Sequence, residues 1–305
     1  MKDTENRDRA ILDVHAGVDR RSFVRGVGLA GLGAAGATLL AGKVGLLDTV
    51  PGAKSLGLGS PEAMAATITD TDILNFALNL EYLEAEFYVV AYTGMTLEQS
   101  GIPVDGAVGK PGPTTGGQKV RFEPNDGDRD ADDEKTGRLR RIAEEVAYDE
   151  VQHVLLLRSA LGSAAIAKPA INLDALGIGF RNFRQFLQLA RAFEDVGVSA
   201  YGGAAPLITS KQILATAARI ALTEALHSAN FRLLVAENDV QTTPVDNLDI
   251  LPPPSGQQYF EVDKQALAIV RTTSQVLAIV YGNSAPGTSS GGFFPNGVNG
   301  TIATV

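Results

Sequence analysis

The chain has 305 residues, 45% of them hydrophobic, and a formal net charge of -9. Lys and Arg form no long run in the body of the chain, which argues against nucleic acid as a partner, because phosphate binding needs a basic patch. There is no cysteine, so disulfides, thiolate metal sites and thiol nucleophiles are excluded.

The first 65 residues read as a targeting segment and spacer. Asp19-Arg20-Arg21-Ser22-Phe23-Val24-Arg25 resembles the twin-arginine export signal. A weakly apolar Gly/Ala stretch follows from Gly26 to Ala41, too short and too small-sided for a membrane span. Ala63-Met64-Ala65 offers small residues for cleavage. This reading implies engagement with the twin-arginine translocase, a periplasmic, envelope or extracellular destination, and folding before export. Whether the segment is removed is left open.

Five stretches then read as helices by period and caps. The first runs from Asp70 to Tyr92 behind Thr69. The second runs from Glu134 to Leu161 and ends before Gly162. The third runs from Asn182 to Tyr201 and stops at Gly202-Gly203. The fourth starts near Ser210 and reaches Asn238, and the fifth spans Asp263 to Tyr281. Residues 94 to 133, rich in Gly, Pro and Asp, form a loop long enough to carry a role of its own. Pro252-Pro253-Pro254 separates the fourth and fifth helices, and a Gly/Ser-rich tail from Gly282 to Val305 contains Phe293-Phe294. No strand pattern competes. The expected fold is all-α: a four-helix bundle over residues 66–240, with a C-terminal helix and tail, residues 241–305, packed on it.

The inward stripes of these helices carry acid where a core should be apolar. The first reads Leu74, Ala77, Glu81, Glu84, Tyr88. The second reads Ile142, Val146, Glu150, His153, Leu157. The third reads Phe186, Ala190, Glu194, Val198, Tyr201, and the fourth Ala217, Ile220, Glu224, His227, Phe231, Leu234. Steps of three and four place each set on one helix face. An unpaired buried carboxylate costs several kcal/mol, whereas two divalent cations balance four carboxylates and two neutral imidazoles. Glu-x-x-His, which sets both ligands one turn apart, occurs at Glu150–His153 and at Glu224–His227. Of the three histidines, two fall in these motifs and the third, His15, lies in the targeting segment. One Glu from each of two helices plus Glu-x-x-His from each of two others is the ligand pattern of two-metal helical bundles.

Glu81 precedes Tyr88 by seven residues, as Glu194 precedes Tyr201. The chain therefore repeats one helix pair, and antiparallel packing of the copies would build a near-symmetric site. That spacing favours Glu81 as a ligand, with Glu84 as the alternative. Tyr88 and Tyr201 are candidates for supporting or redox roles beside packing. Glu144, Glu145, Asp149 and Asp195 are assigned to solvent or to contacts behind the ligands.

The segment from Asn75 to Tyr88 and the segment from Phe193 to Tyr201 resemble the ferritin-like domain of plant and bacterial desiccation-related proteins, over roughly Asp70 to Asn238. The ligand pattern is also similar to that of bacterioferritin and rubrerythrin. The resemblance implies Glu81, Glu150, His153, Glu194, Glu224 and His227 as ligands of two iron ions, or two manganese ions, with Glu150 and Glu224 bridging. The long first loop and the C-terminal extension depart from ferritin and weigh against a storage cage; a homo-oligomer is left open. The leading expectation is an exported di-metal redox protein acting on peroxide, oxygen or ferrous iron, in stress or desiccation protection. The alternative is a non-catalytic protective or structural envelope protein whose metals staple the bundle.

Overall fold

The computed structural model describes residues 68–122 and 133–305. The targeting segment assigned to residues 1–65, and most of the acidic run beginning at Asp126, lie outside the described residues. Four long helices dominate. They are α1 (Asp70–Thr93), α2 (Asp133–Leu161), α3 (Phe183–Ala204) and α4 (Lys211–Glu237), followed by a short α5 (Thr273–Tyr281). Helix α1 packs along α2, and α3 along α4, so the two halves of the sequence repeat form two hairpins facing each other. No helix among the described residues is long and apolar enough to cross a membrane.

Local chemistry sets the helix ends. Thr69 and Asp72 form a capping box at the start of α1, and Gly94 closes it at φ 84°, a left-handed conformation that costs Gly little. Asn182 accepts from the Gln185 amide to open α3. Ser210 accepts from the Ile213 amide to open α4.

Two boundaries differ from expectation, each for a tertiary reason. Helix α3 continues through Gly202 and Gly203 to Ala204. Those glycines serve a close approach: a Cβ on Gly203 would stand 1.9 Å from the Arg271 carbonyl oxygen, and the Arg271 amide donates to Ser199 O at 3.0 Å. The fifth helix begins at Thr273, ten residues later than its period suggests. Asp263 Oδ1 accepts from the Gln265 and Leu267 amides, and Ala266 takes φ 60°. The Asp side chain thus supports a turn in place of a helical start, and a capping box between Thr272 and Gln275 opens α5.

Helix α1 is buried on nearly every side from Ile73 to Tyr92. The first loop and the C-terminal tail cover its outer face. Asn79 exchanges hydrogen bonds with the Asn299 backbone at 2.8 and 3.0 Å, and Val120 N donates to Ala91 O. Within this cover Thr114–Thr115 pairs in parallel with Ile171–Asn172. Buried Lys168 joins Glu86 at 3.1 Å, and Glu86 also accepts from Thr114 Oγ1 and the Leu97 amide. The long loop therefore has a packing role. Phe293 and Phe294 are both buried, the former 5.1 Å from the Phe193 ring, so the tail is anchored to α3.

Candidate metal centre

Each helix delivers its inward acid to one level of the bundle. Glu81, Glu150, Glu194 and Glu224 are fully buried, and Glu84, His153 and His227 nearly so. The six expected ligands come together as two overlapping groups. Glu81, Glu150, His153 and Glu224 form one, and Glu150, Glu194, Glu224 and His227 the other, each with its ligand atoms within 4.8 Å of one another. Glu150 and Glu224 belong to both, the position a bridging carboxylate takes. His153 Nδ1 lies 3.3 Å from an oxygen of each of Glu81, Glu150 and Glu224. His227 Nδ1 lies 3.1 Å from Glu150 and 3.3 Å from Glu194.

Many of these close approaches do not satisfy hydrogen bonding. Glu81 Oε2, Glu150 Oε1, Glu194 Oε2, both Glu224 oxygens and His227 Nδ1 are buried without a hydrogen-bond partner. Buried polar atoms are nearly always paired, and leaving several carboxylate oxygens unpaired in one core is expensive. The lone pairs converge on common points, as they do when the missing partner is a cation. Carboxylate oxygen with imidazole nitrogen suits iron or manganese. The residues therefore fit two metal ions.

The field at this level is strongly negative. Burial opposes ionisation of Glu150, but His153 and His227 beside it outweigh burial and hold it below the usual carboxylate range. Burial pushes Glu81 up to about 7, against the pull of His153. Burial also opposes charging of both histidines, yet Glu81 and Glu150 around His153, and Glu194 around His227, raise them well above an ordinary imidazole. The cluster titrates as a unit. The field that draws protons onto the histidines attracts divalent cations equally.

Both tyrosines sit behind ligands, in the crossed manner a two-fold repeat demands. Tyr88 of α1 donates to Glu194 Oε1 of α3, and Tyr201 of α3 donates to Glu81 Oε1 of α1, each at 2.5 Å. In each case the other oxygen of the carboxylate is the unpartnered one. Asp149 reaches His227 Nε2 at 3.2 Å, which leaves Nδ1 to face the cluster; such partners fix the orientation and tautomer of a ligating histidine.

Glu84 is buried but belongs to neither group. Burial, followed by the charges of Glu224, Glu150, Glu194 and Glu81, pushes it well above the usual carboxylate range. It lines a cavity of about 20 Å³ between α1, α3 and α4, with Leu80, Gly197, Ala200 and Tyr201 among its apolar and small-sided walls. That is room for about one water-sized molecule. Gly197 keeps the space open: a Cβ there would lie 2.4 Å from Glu224 Oε2 and 3.0 Å from Glu84 Oε1. Sequence reasoning missed Gly197, because only the packed helices reveal which glycine faces the acids.

Asp195, next to Glu194, is buried and held by Arg232 at 2.7 Å, Ser228 at 2.5 Å and Arg191 at 3.5 Å. With Asp249 and Glu261 it forms a third acidic group, but guanidinium groups of Arg191, Arg232 and Arg271 already neutralise it. It ties the segment after α4 to the bundle. Glu144 is half-buried and Glu145 exposed.

The family model described as the ferritin-like domain matches residues 69–237, which span all four long helices and every residue of the two groups. A protein of Nesocodon mauritianus named ferritin-like catalase Nec2 is 25% identical over 285 residues, covering 77% of this chain and 85% of its own.

Proposed function

This chain belongs to the ferritin-like domain family, and on that premise we propose that its buried centre binds two iron or two manganese ions and decomposes hydrogen peroxide. The observation that carries this reading is the pair of four-residue groups sharing Glu150 and Glu224, with six buried atoms left without partners. The name of the Nesocodon mauritianus relative supports peroxide as the substrate. Two peroxide molecules yield two waters and one dioxygen, so no outside reductant is needed. When bound, the metal pair supplies two-electron redox capacity at a site that accepts oxygen donors.

The chain's own groups do the rest. Glu150 and Glu224 hold the shared position, and Tyr88 and Tyr201 fix Glu194 and Glu81 so that one oxygen of each points inward. The small cavity, with room for about one water-sized molecule, leaves no room for a large organic substrate. Glu84, in its wall, places a carboxyl that burial keeps well above the usual carboxylate range beside this space. Residues 1–65 serve in this reading as an export signal, so the metals enter before the folded protein leaves the cytoplasm.

The test combines metal analysis with oxygen evolution from peroxide. Two transition-metal ions per chain and rapid oxygen release are expected, both lost together in Glu224→Ala. Two ions per chain with no peroxide turnover would leave the centre a structural staple and overturn the catalytic reading.

A further inference from the structure

Helix α4 buries one face in the bundle, yet its opposite face is also apolar. Ala215, Ala218, Leu222, Ala225, Leu226 and Leu233 are exposed, with Leu222 at 67%, Leu226 at 71% and Leu233 at 46%. Arg219 and Asn230 are exposed on the same side, but a surface helix normally turns mostly polar groups to water, and several exposed leucines together mark an interaction site. From Ala215 to Leu226 the positions keep to one side by steps of one, three and four, and Leu233 follows two turns later beyond Asn230, as on the side of a helix that packs against another helix.

The order of residues along the stripe says what covers it. Laid antiparallel against a copy of itself and centred at the level of Glu224, α4 sets Leu222 opposite Leu226. Ala215 falls opposite Leu233, a small residue against a large one. Lys211 at one end falls opposite Glu237 at the other, and both are exposed. Glu237 already meets Arg138 of its own chain at 2.7 Å, so Lys211 would add to an existing charge pair. The same surface on both partners, with mutual contacts, is what a two-fold dimer requires. A parallel pairing would set each residue against its own copy, Lys211 against Lys211 included, with like charges facing.

We propose that the exposed face of α4 is the interface of a homodimer in which two copies of this helix pack antiparallel about a two-fold axis. The helix of 27 residues is about 40 Å long at 1.5 Å per residue, long enough for a continuous seam. The assignment is independent of what the metal centre does.

The absence of native cysteine makes the register testable. Ala215 and Leu233 lie about 27 Å apart along one helix, so a disulfide between them cannot close within a chain. The full chain carrying Ala215→Cys and Leu233→Cys together should form covalent dimers on mild oxidation. Either substitution alone should leave monomers on a denaturing gel. Light scattering on the full chain should give twice the monomer mass at micromolar concentration, falling to the monomer mass in Leu222→Glu/Leu226→Glu with far-UV circular dichroism unchanged. If that variant misfolds, Lys211→Glu serves instead and should raise the dimer dissociation constant at least several-fold. A monomeric full chain, or cross-linking by Ala215→Cys alone, would overturn the proposal. So would a monomer in which Leu222→Cys resists maleimide, since residues of the same chain would then cover the face.

Discussion

Glu224 has both carboxylate oxygens buried and without a hydrogen-bond partner, and it lies in both ligand groups. Its substitution by Gln keeps the volume and removes the charge; metal content should fall from two ions per chain to one or none, measured by mass spectrometry. Gly197→Ala tests the space beside it. The added methyl meets Glu224 Oε2 and Glu84 Oε1, so the carboxylates must shift, and peroxide turnover should drop at least tenfold while the bundle stays folded. Protons compete with metal here. Burial raises Glu81 to about 7, and a ligand must lose its proton to bind. His153, His227 and Glu224 are also held above their ordinary values, so metal affinity should weaken as pH falls through about 7 and go on strengthening as pH rises above it, as read by titration against a competing chelator. The six side chains that converge were legible in the sequence, because each lies on an inward stripe at three-and-four spacing and both motif histidines are otherwise unexplained. Glu81 was preferred over Glu84 from the repeated seven-residue step to Tyr. That step has a structural cause: each Tyr supports the ligand carboxylate of the opposite hairpin. The role of Gly197 was not legible, since no local pattern distinguishes it from any other helical glycine.

At the scale of elements, the four long helices follow from caps and period. Thr69, Asn182 and Ser210 all act as N-caps. Ser210→Ala should cost about 1 kcal/mol, seen as a lower denaturation midpoint. The misjudged ends lie where tertiary contacts override local rules. Gly202-Gly203 reads as a stop in isolation, yet α3 continues because the chain at Val270 and Arg271 crosses those residues too closely for any side chain. Gly203→Ala would force a methyl onto the Arg271 backbone and should destabilise the protein by roughly 1–3 kcal/mol or more, well beyond its small gain in helix propensity. The Glu86–Lys168 pair was equally invisible, because it joins α1 to a loop about eighty residues downstream and depends on how that loop folds back. Removing one partner of such a buried pair is strongly destabilising, by about 3–5 kcal/mol, so Lys168→Met should lower the midpoint of thermal unfolding by many degrees.

For the whole molecule, two helical hairpins supply the converging acids and histidines, and the loop and tail cover the outer side of α1. The first loop and the tail seal α1, while Asp195 with Arg191 and Arg232 anchors the segment beyond α4. The bundle and the set of converging side chains were therefore readable from periodicity, whereas the seal was not, because its contacts join residues far apart in sequence without a repeating pattern. In the proposed reading, a centre built from several buried acids would find its counter-charge in metals, and metal binding to the folded state alone would raise stability by mass action. The most direct test is the metal content, by mass spectrometry, of protein purified from its native source without added metal. Two iron or manganese ions per chain are predicted. A folded protein holding none, with Glu150 and Glu224 still buried in the same positions, would contradict the account.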